Sequence, residues 1–356
     1  MITVSLCMII KDEEKVIARC LECVKDIVDE IIIVDTGSTD KTKEICLNYT
    51  KSIYDFKWTD DFSLARNFSF SKANKDYCMW LDADDIVTKE NQEILLDLKS
   101  TVSLDTDIIM CKYNTAFDDQ GNPIFSYYRE RIIKRSSNFL WSGRVHEAIC
   151  PSGKIIYSDF AVSHKKIGPG DPDRNLKIFE SMIAGNVILN AREQFYYGRE
   201  LYYHKRYKEA IKVLNVFLEE GNGWIENNID ACKILSYCHY GDGDEKFALR
   251  FLLRSFEYDS PRAEICCDIG KHFFDKNMII QAIFWYETAL LCRRNDKSGG
   301  FVIEDCYNYI PYIQLSVCWY RLGQINKAID YNNLAGKYKP NDSSYKRNKE
   351  FFDHIN

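Results

Sequence analysis

The chain has 356 residues, more than one hydrophobic core usually serves, so two domains are expected. Its composition, 46% apolar and 28% charged, is that of an ordinary globular protein, and a formal charge of −6 leaves no basic stripe for a phosphate backbone, which argues against nucleic acid as a partner. No apolar run approaches the roughly 20 residues of a spanning helix, and Met1-Ile2-Thr3-Val4-Ser5 lacks a basic region followed by a long apolar one, so the cytoplasm is the expected location.

Val4 to Ile10 reads as a buried strand, Glu13 to Cys23 as an amphipathic helix, Glu30 to Val34 as a strand, Lys41 to Tyr49 as a helix and Tyr77 to Leu81 as a further strand. This alternation predicts βαβ units and an α/β, Rossmann-like domain with a mainly parallel sheet. Ligands bind such sheets at the carboxyl ends of the strands. The polar residues that fall there are Lys11-Asp12-Glu13, Asp35 and Asp82-Ala83-Asp84-Asp85. The 14 cysteines are scattered, many within apolar patterns, and read as buried thiols. Cys20 and Cys23 form a CxxC, but on an amphipathic helix and with no second pair at zinc-site spacing, so packing is expected there and at Cys266-Cys267.

From about residue 190 the chain becomes helical and repetitive. Gly198 and Ala210, Ser236 and Ala248, Gly270 and Ala282, and Ser316 and Ala328 each pair a small residue with an alanine 12 positions later, as tetratricopeptide repeats do where two helices touch. The units are 38, 34 and 46 residues apart; the middle value is the period of that repeat and the others imply loop insertions. Pro340 falls at the closing proline of the last unit. The expected organisation is an α/β domain over residues 1–185 and an all-α repeat domain over 186–356. Stacked repeats present a concave face that usually binds a partner, the alternative being a buttress without one; a homodimer through the repeats is a further expectation.

The chemistry-bearing motifs lie in the first domain. A nucleotide sugar carries a base, a ribose diol and a diphosphate, and breaking its glycosidic bond leaves negative charge that a divalent metal can stabilise. Asp82-Ala83-Asp84 is a DxD motif after an apolar strand, and alternation lets both carboxylates point one way, one to a ribose and one to a metal. Alone, such a pair is more often merely solvated. In Asp35-Thr36-Gly37-Ser38-Thr39-Asp40, Gly37 permits a strained turn, Ser38 or Thr39 can cap the helix near Lys41, and Asp35 can accept from a base or ribose; the plainer reading is a capped strand-helix junction. In Asp61-Phe62-Ser63-Leu64-Ala65-Arg66-Asn67, Arg66 can reach a phosphate, orient the site's carboxylates, or simply lie on the surface.

Together these motifs resemble the family 2 glycosyltransferases of the GT-A fold, over roughly residues 1 to 185, with Asp12 where the family commonly has Asn. The resemblance implies an inverting transfer from a nucleotide diphosphate sugar, with UDP the favoured nucleotide. It implies that Asp12, Glu13 and Asp35 lie at the donor, Asp35 near the base, with Asp82 near the ribose and Asp84 on Mg²⁺ or Mn²⁺. Trp141-Ser142-Gly143-Arg144-Val145-His146-Glu147 and Val162-Ser163-His164 are similar to the branch of this family that carries tetratricopeptide repeats and includes a peptide S-glycosyltransferase. His164 is then a candidate metal ligand beside a carboxylate. His146 is either a site residue or a structural hydrogen-bonding one. Glu147 is the expected base, with Asp85 as the alternative and a salt bridge to Arg144 as the other role for Glu147. Arg131 is a weaker candidate for a phosphate clamp. A peptide or protein acceptor, modified on Cys or Ser/Thr and held partly by the repeats, is expected; a glycan or lipid-linked saccharide, or a catalytically silent interaction protein, are the alternatives. A thiol acceptor, with a pKa of about 8.5, asks less of a base than a hydroxyl.

Overall fold

The computed structural model describes residues 1–118, 121–168 and 170–355, and the chain divides into two units, Met1–Ile188 and Leu189–Asn356. In the first unit, β1 (Val4–Ile10), α1 (Ile17–Val24), β2 (Glu30–Asp35), α2 (Thr42–Cys46), β3 (Ile53–Asp55), α3 (Phe62–Ser71) and β4 (Tyr77–Trp80) follow one another in strand-helix alternation. β5 (Asp85–Ile86), α4 (Lys89–Thr101), β6 (Ile108–Phe117), β7 (Pro123–Lys134), the short hairpin of β8 (Trp141–Ser142) and β9 (Ala148–Ile149), β10 (Ile155–His164) and α5 (Arg174–Ala184) complete it. Leu6, Met8, Ile33, Tyr77 and Met79 of the strands pack with Ile17, Leu21 and Val24 of α1, all buried. That burial supplies most of the drive for folding.

Eight strands form one sheet in the order β3-β2-β1-β4-β7-β6-β10-β5. β3, β2, β1 and β4 run parallel, so the residues after β1, β2 and β4 gather along one edge. Beyond β4 the direction changes: β7 is antiparallel to β4 and to β6, and β5 is antiparallel to β10. β6 and β10 run parallel to each other, so the sheet is mixed but mainly parallel, with only β7 and β5 running against the other six strands. The cause of the reversal at β7 is the short link from Phe117 to Pro123, which can join antiparallel neighbours but cannot make the crossover a parallel pair needs. The β10–β5 ladder sets His164 opposite Asp85.

Two local differences matter for the site. The first helix begins at Ile17 rather than Glu13, because Glu13 to Val16 form a turn in which Val16 N–H donates to Glu13 C=O at 3.0 Å. Neither Ser38 nor Thr39 caps α2. The N-cap position is Lys41, whose side chain makes no capping bond; Asp40 before it accepts from Thr42 N–H at 2.9 Å, while Ser38 Oγ accepts from Asp12 N–H at 3.0 Å and Thr39 N–H donates to the Asp12 carboxylate at 2.7 Å.

The second unit is four antiparallel helix pairs and a final helix: α6 (Ala191–Tyr203) with α7 (Tyr207–Glu220), α8 (Ile225–Gly241) with α9 (Glu245–Arg254), α10 (Ala263–Asp275) with α11 (Ile279–Leu291), α12 (Tyr309–Arg321) with α13 (Ile325–Tyr338), and α14 (Ser343–Ile355). The alanines at 210, 248, 282 and 328 are fully buried. Ser316 Oγ donates to Ala328 C=O at 2.8 Å across its pair, and a Cβ on Gly270 would lie 2.8 Å from the Tyr286 ring. These close approaches are why the 12-residue offset between small residues recurs.

Candidate functional site

Two groups of side chains meet at the carboxyl edge of the sheet. The first is built on Arg66. Asp61 caps α3, accepting from Leu64 N–H at 3.1 Å, and one turn later Arg66 points inward, 6% exposed. Its Nη2 donates to Asp82 Oδ1 at 2.8 Å and its Nε to Glu147 Oε1 at 2.6 Å. Its guanidinium also lies over the rings of Trp80 and Trp141, 4.7 and 4.9 Å from their centroids. One cation thus ties the first DxD carboxylate to the glutamate of the G-x-V-H-E segment. Burial works to raise the Asp82 carboxyl, but Arg66, Arg131 and His164 outweigh it and hold it below the ordinary value. Glu147 reaches this point from the tip of the β8–β9 hairpin, where Gly143 adopts φ +95° and Arg144 C=O accepts from Phe62 N–H at 2.8 Å.

The second group is Asp84, Asp85 and His164. His164 Nδ1 lies 3.2 Å from Asp84 Oδ1 and 3.3 Å from Asp85 Oδ1, and 3.0 Å from the Tyr113 hydroxyl. Among the described residues these three form a group whose possible ligand atoms all fall within 4.8 Å of one another. Hydrogen bonds to Asp84 and Asp85 lift the imidazole to about 10 against the opposing effect of burial. Two carboxylate oxygens beside an imidazole nitrogen are a donor set that fits a divalent metal ion, which on binding would take the place of the imidazole's proton. Asp85 is fully buried, and its oxygens already accept from Tyr113 Oη at 2.9 Å and Asp82 N–H at 3.0 Å.

Glu13, half-buried, faces both groups: burial and the charges of Asp84, Asp82 and Asp40 push its carboxyl up to about 7 against the pull of Arg174. Asp12, at φ 54°, is exposed and laced to the loop after β2 through Thr39. Asp35 is 3% exposed and accepts from Ser38 N–H at 3.2 Å.

Three sequence expectations change here. Arg131 cannot clamp a diphosphate. β7 buries it completely beneath Asp85, against the rings of Trp80 and Tyr113 at 3.6 and 4.5 Å, where it donates to Trp80 C=O at 3.1 Å. Asp85 cannot serve as the base, since none of its surface meets an acceptor. Glu147 pairs with Arg66 and not with Arg144. His146, at φ 52°, stacks near Phe179 of α5, with centroids 6.5 Å apart. Sequence reasoning did not place Asp85 with the metal group or see Tyr113. The repeated acid of Asp84-Asp85 was the available signal for the first; Tyr113 had none, since its strand is an unremarkable apolar run.

Residues 5–152 match the model for glycosyl transferase family 2, a class of domain with which this edge of acids on an α/β sheet is consistent. The chain is 28% identical over 224 residues to the SPbeta prophage-derived glycosyltransferase SunS of Bacillus subtilis (strain 168), covering 60% of this chain and 52% of that protein. It is 47% identical over 85 residues to a TPR repeat-containing protein of Synechococcus elongatus, covering 24% of this chain and 21% of that protein. The matches thus span about half or less of the length of these relatives. Among solved structures, S. aureus TarS 1–349 in complex with UDP aligns with 14% identity and a TM-score of 0.40, over 69% of this chain and 89% of that one.

Proposed function

We propose that the chain is an inverting, metal-dependent glycosyltransferase that moves a sugar from a nucleotide diphosphate sugar, UDP being the favoured nucleotide, to a Cys or Ser/Thr side chain of a peptide or protein. The observation that carries this reading is the meeting of Asp82, Asp84 and His164 at the carboxyl edge of the sheet, with Arg66 pairing both Asp82 and Glu147. Asp84 and His164 are assigned to a Mn²⁺ or Mg²⁺ ion, which when bound stabilises the charge a departing diphosphate gains. Asp82, steadied by Arg66, is turned toward the ribose, and Asp12, Glu13 and Asp35 line the donor along the loops after β1 and β2. Glu147 is assigned to accept the acceptor's proton. Its pairing with Arg66 fixes it in place, and the modest demand of a thiol suits a base so held. The repeats are assigned to hold the acceptor.

The test is a panel of nucleotide sugars with and without Mn²⁺, read by donor hydrolysis and by mass spectrometry of candidate peptides for hexose-sized additions. Turnover is expected only with metal. Asp84→Ala should lower it about 100-fold or more in a folded protein, equivalent to at least about 3 kcal/mol of transition-state stabilisation, and His164→Ala should raise the Mn²⁺ needed for half-maximal rate. Full activity in folded Asp84→Ala removes the metal assignment, and an unchanged metal titration returns His164 to a structural role.

A further inference from the structure

Gly270 and Ser316 are 46 residues apart, 12 more than the 34 between Ser236 and Gly270, and the surplus lies between α11 and α12. Residues 293–297 of this insertion are exposed, but residues 298–302 turn inward. Ser298 Oγ accepts from Gly300 N–H at 3.1 Å, tightening the turn. Gly299 lies so close to Trp224 that a Cβ there would sit 2.9 Å from the indole, and the buried Gly300 is pressed against Glu226. The Phe301 ring lies 5.0 Å from the Arg199 guanidinium. Ile303, with extended backbone at φ −99° and ψ 99°, donates its N–H to Glu264 Oε1 at 2.7 Å.

Arg199, Glu226 and Glu264 belong to α6, α8 and α10, the first helices of three successive pairs. A six-residue segment that touches all three shows that these helices present one common face. Beside the segment a small solvent-open cleft of about 40 Å³ remains, lined among others by Asp230, Lys233, Arg262, Phe301, Val302 and Tyr307.

We propose that Ser298–Ile303 is a strap that occupies the second unit's own peptide groove and is displaced when an extended acceptor peptide binds, an inference that rests on reading the acceptor as a peptide. The strap shows what the groove accepts. Glu264 takes a main-chain N–H, as it would from any extended peptide; Arg199 takes an aromatic face; and the glycine pair allows close approach at Trp224 and Glu226. The strap carries no charged side chain, so it forms no ion pair with the helices and is held by packing and few polar contacts. Such an occupant yields to a competitor that reproduces its contacts and adds others in the charged cleft. The fitting competitor is an extended peptide with small residues followed by an aromatic one.

The probe is a fluorescein-labelled peptide with the sequence of residues 297–304, followed by anisotropy against the full chain, against a chain in which residues 298–302 are replaced by Gly and Ser at equal length, and against Phe301→Ala. Both variants should bind the probe at least tenfold more tightly than the unchanged chain. In the unchanged chain, saturating probe should speed hydrogen exchange at the amides of residues 299–303, a measurement that requires no variant. Equal or weaker binding by a folded variant, or strap amides that stay protected at saturation, overturns the proposal. These readouts do not need turnover. Tight binding without any sugar transfer would leave the strap standing and remove the transferase reading, whereas transfer with no difference in probe binding would do the reverse.

Discussion

Arg66 is the residue on which the two distant halves of the site depend, since Asp82 lies 16 positions after it and Glu147 a further 65. Removing it leaves two carboxylates facing each other beneath two indoles without their cation. Breaking a buried pair in this way typically costs about 3–5 kcal/mol, and because the Asp82 side chain is 36% exposed the lower end applies. Arg66→Ala should therefore destabilise the first unit by about 2–3 kcal/mol and lower its melting temperature by roughly 5–10 °C. Arg66→Lys should recover less than half of that, because an ammonium is a point charge that cannot reproduce two divergent N–H contacts. Thermal denaturation followed by circular dichroism checks both, and an unchanged melting temperature in Arg66→Ala would show that the carboxylates find other partners.

At the scale of elements, the helix pairs share a turn. Lys205, Gly243, Asn277 and Gly323 each follow the small residue of the first helix by seven positions, and all four have positive φ, at 58°, 84°, 58° and 73°. Glycine adopts this backbone without the steric cost an L side chain meets. Lys205→Gly should stabilise the second unit by about 0.5–1 kcal/mol, less than the full steric cost because glycine also loosens the unfolded chain. A destabilised Lys205→Gly in urea titrations would show that the lysine stem packs to better effect than its backbone strain costs. The recurring contact between helices made the repeats legible in the sequence, because only small residues fit there and their offset survives insertion. The strand-helix alternation of the first hundred residues was legible for a similar local reason. What was not legible depends on long-range pairing. The reversal at β7, the ladder that sets His164 against Asp85 across 79 positions, and the burial of Arg131 all follow from which strands become neighbours, and periodicity along one strand does not encode that. The caps of α2 failed differently: Ser38 and Thr39 were suitable residues, but Asp12 engaged them first.

For the whole molecule, the division of labour can be read from heat and ligand together. The first unit closes a core around β1, β2 and β4, and the second closes separate clusters around its helix pairs, such as that of Cys266, Ala282, Tyr286 and Leu315. Cores that do not share residues can melt as separate cooperative steps, so calorimetry of the full chain should resolve two transitions. Every residue assigned to the donor, from Asp12 to His164, belongs to the first unit. A ligand that binds only the folded form stabilises it by RT ln(1 + [L]/Kd), about 2.7 kcal/mol at 100 times Kd. Nucleotide sugar with Mn²⁺ should therefore raise one transition by roughly 5–10 °C and leave the other in place, while a peptide acceptor should raise the second. The Asp84→Ala chain gives the control, since it should keep both transitions and lose the donor's shift. A single transition moved equally by either ligand would mean that donor and acceptor sites draw on one cooperative structure, and the assignment of the acceptor to the repeats alone would then fail.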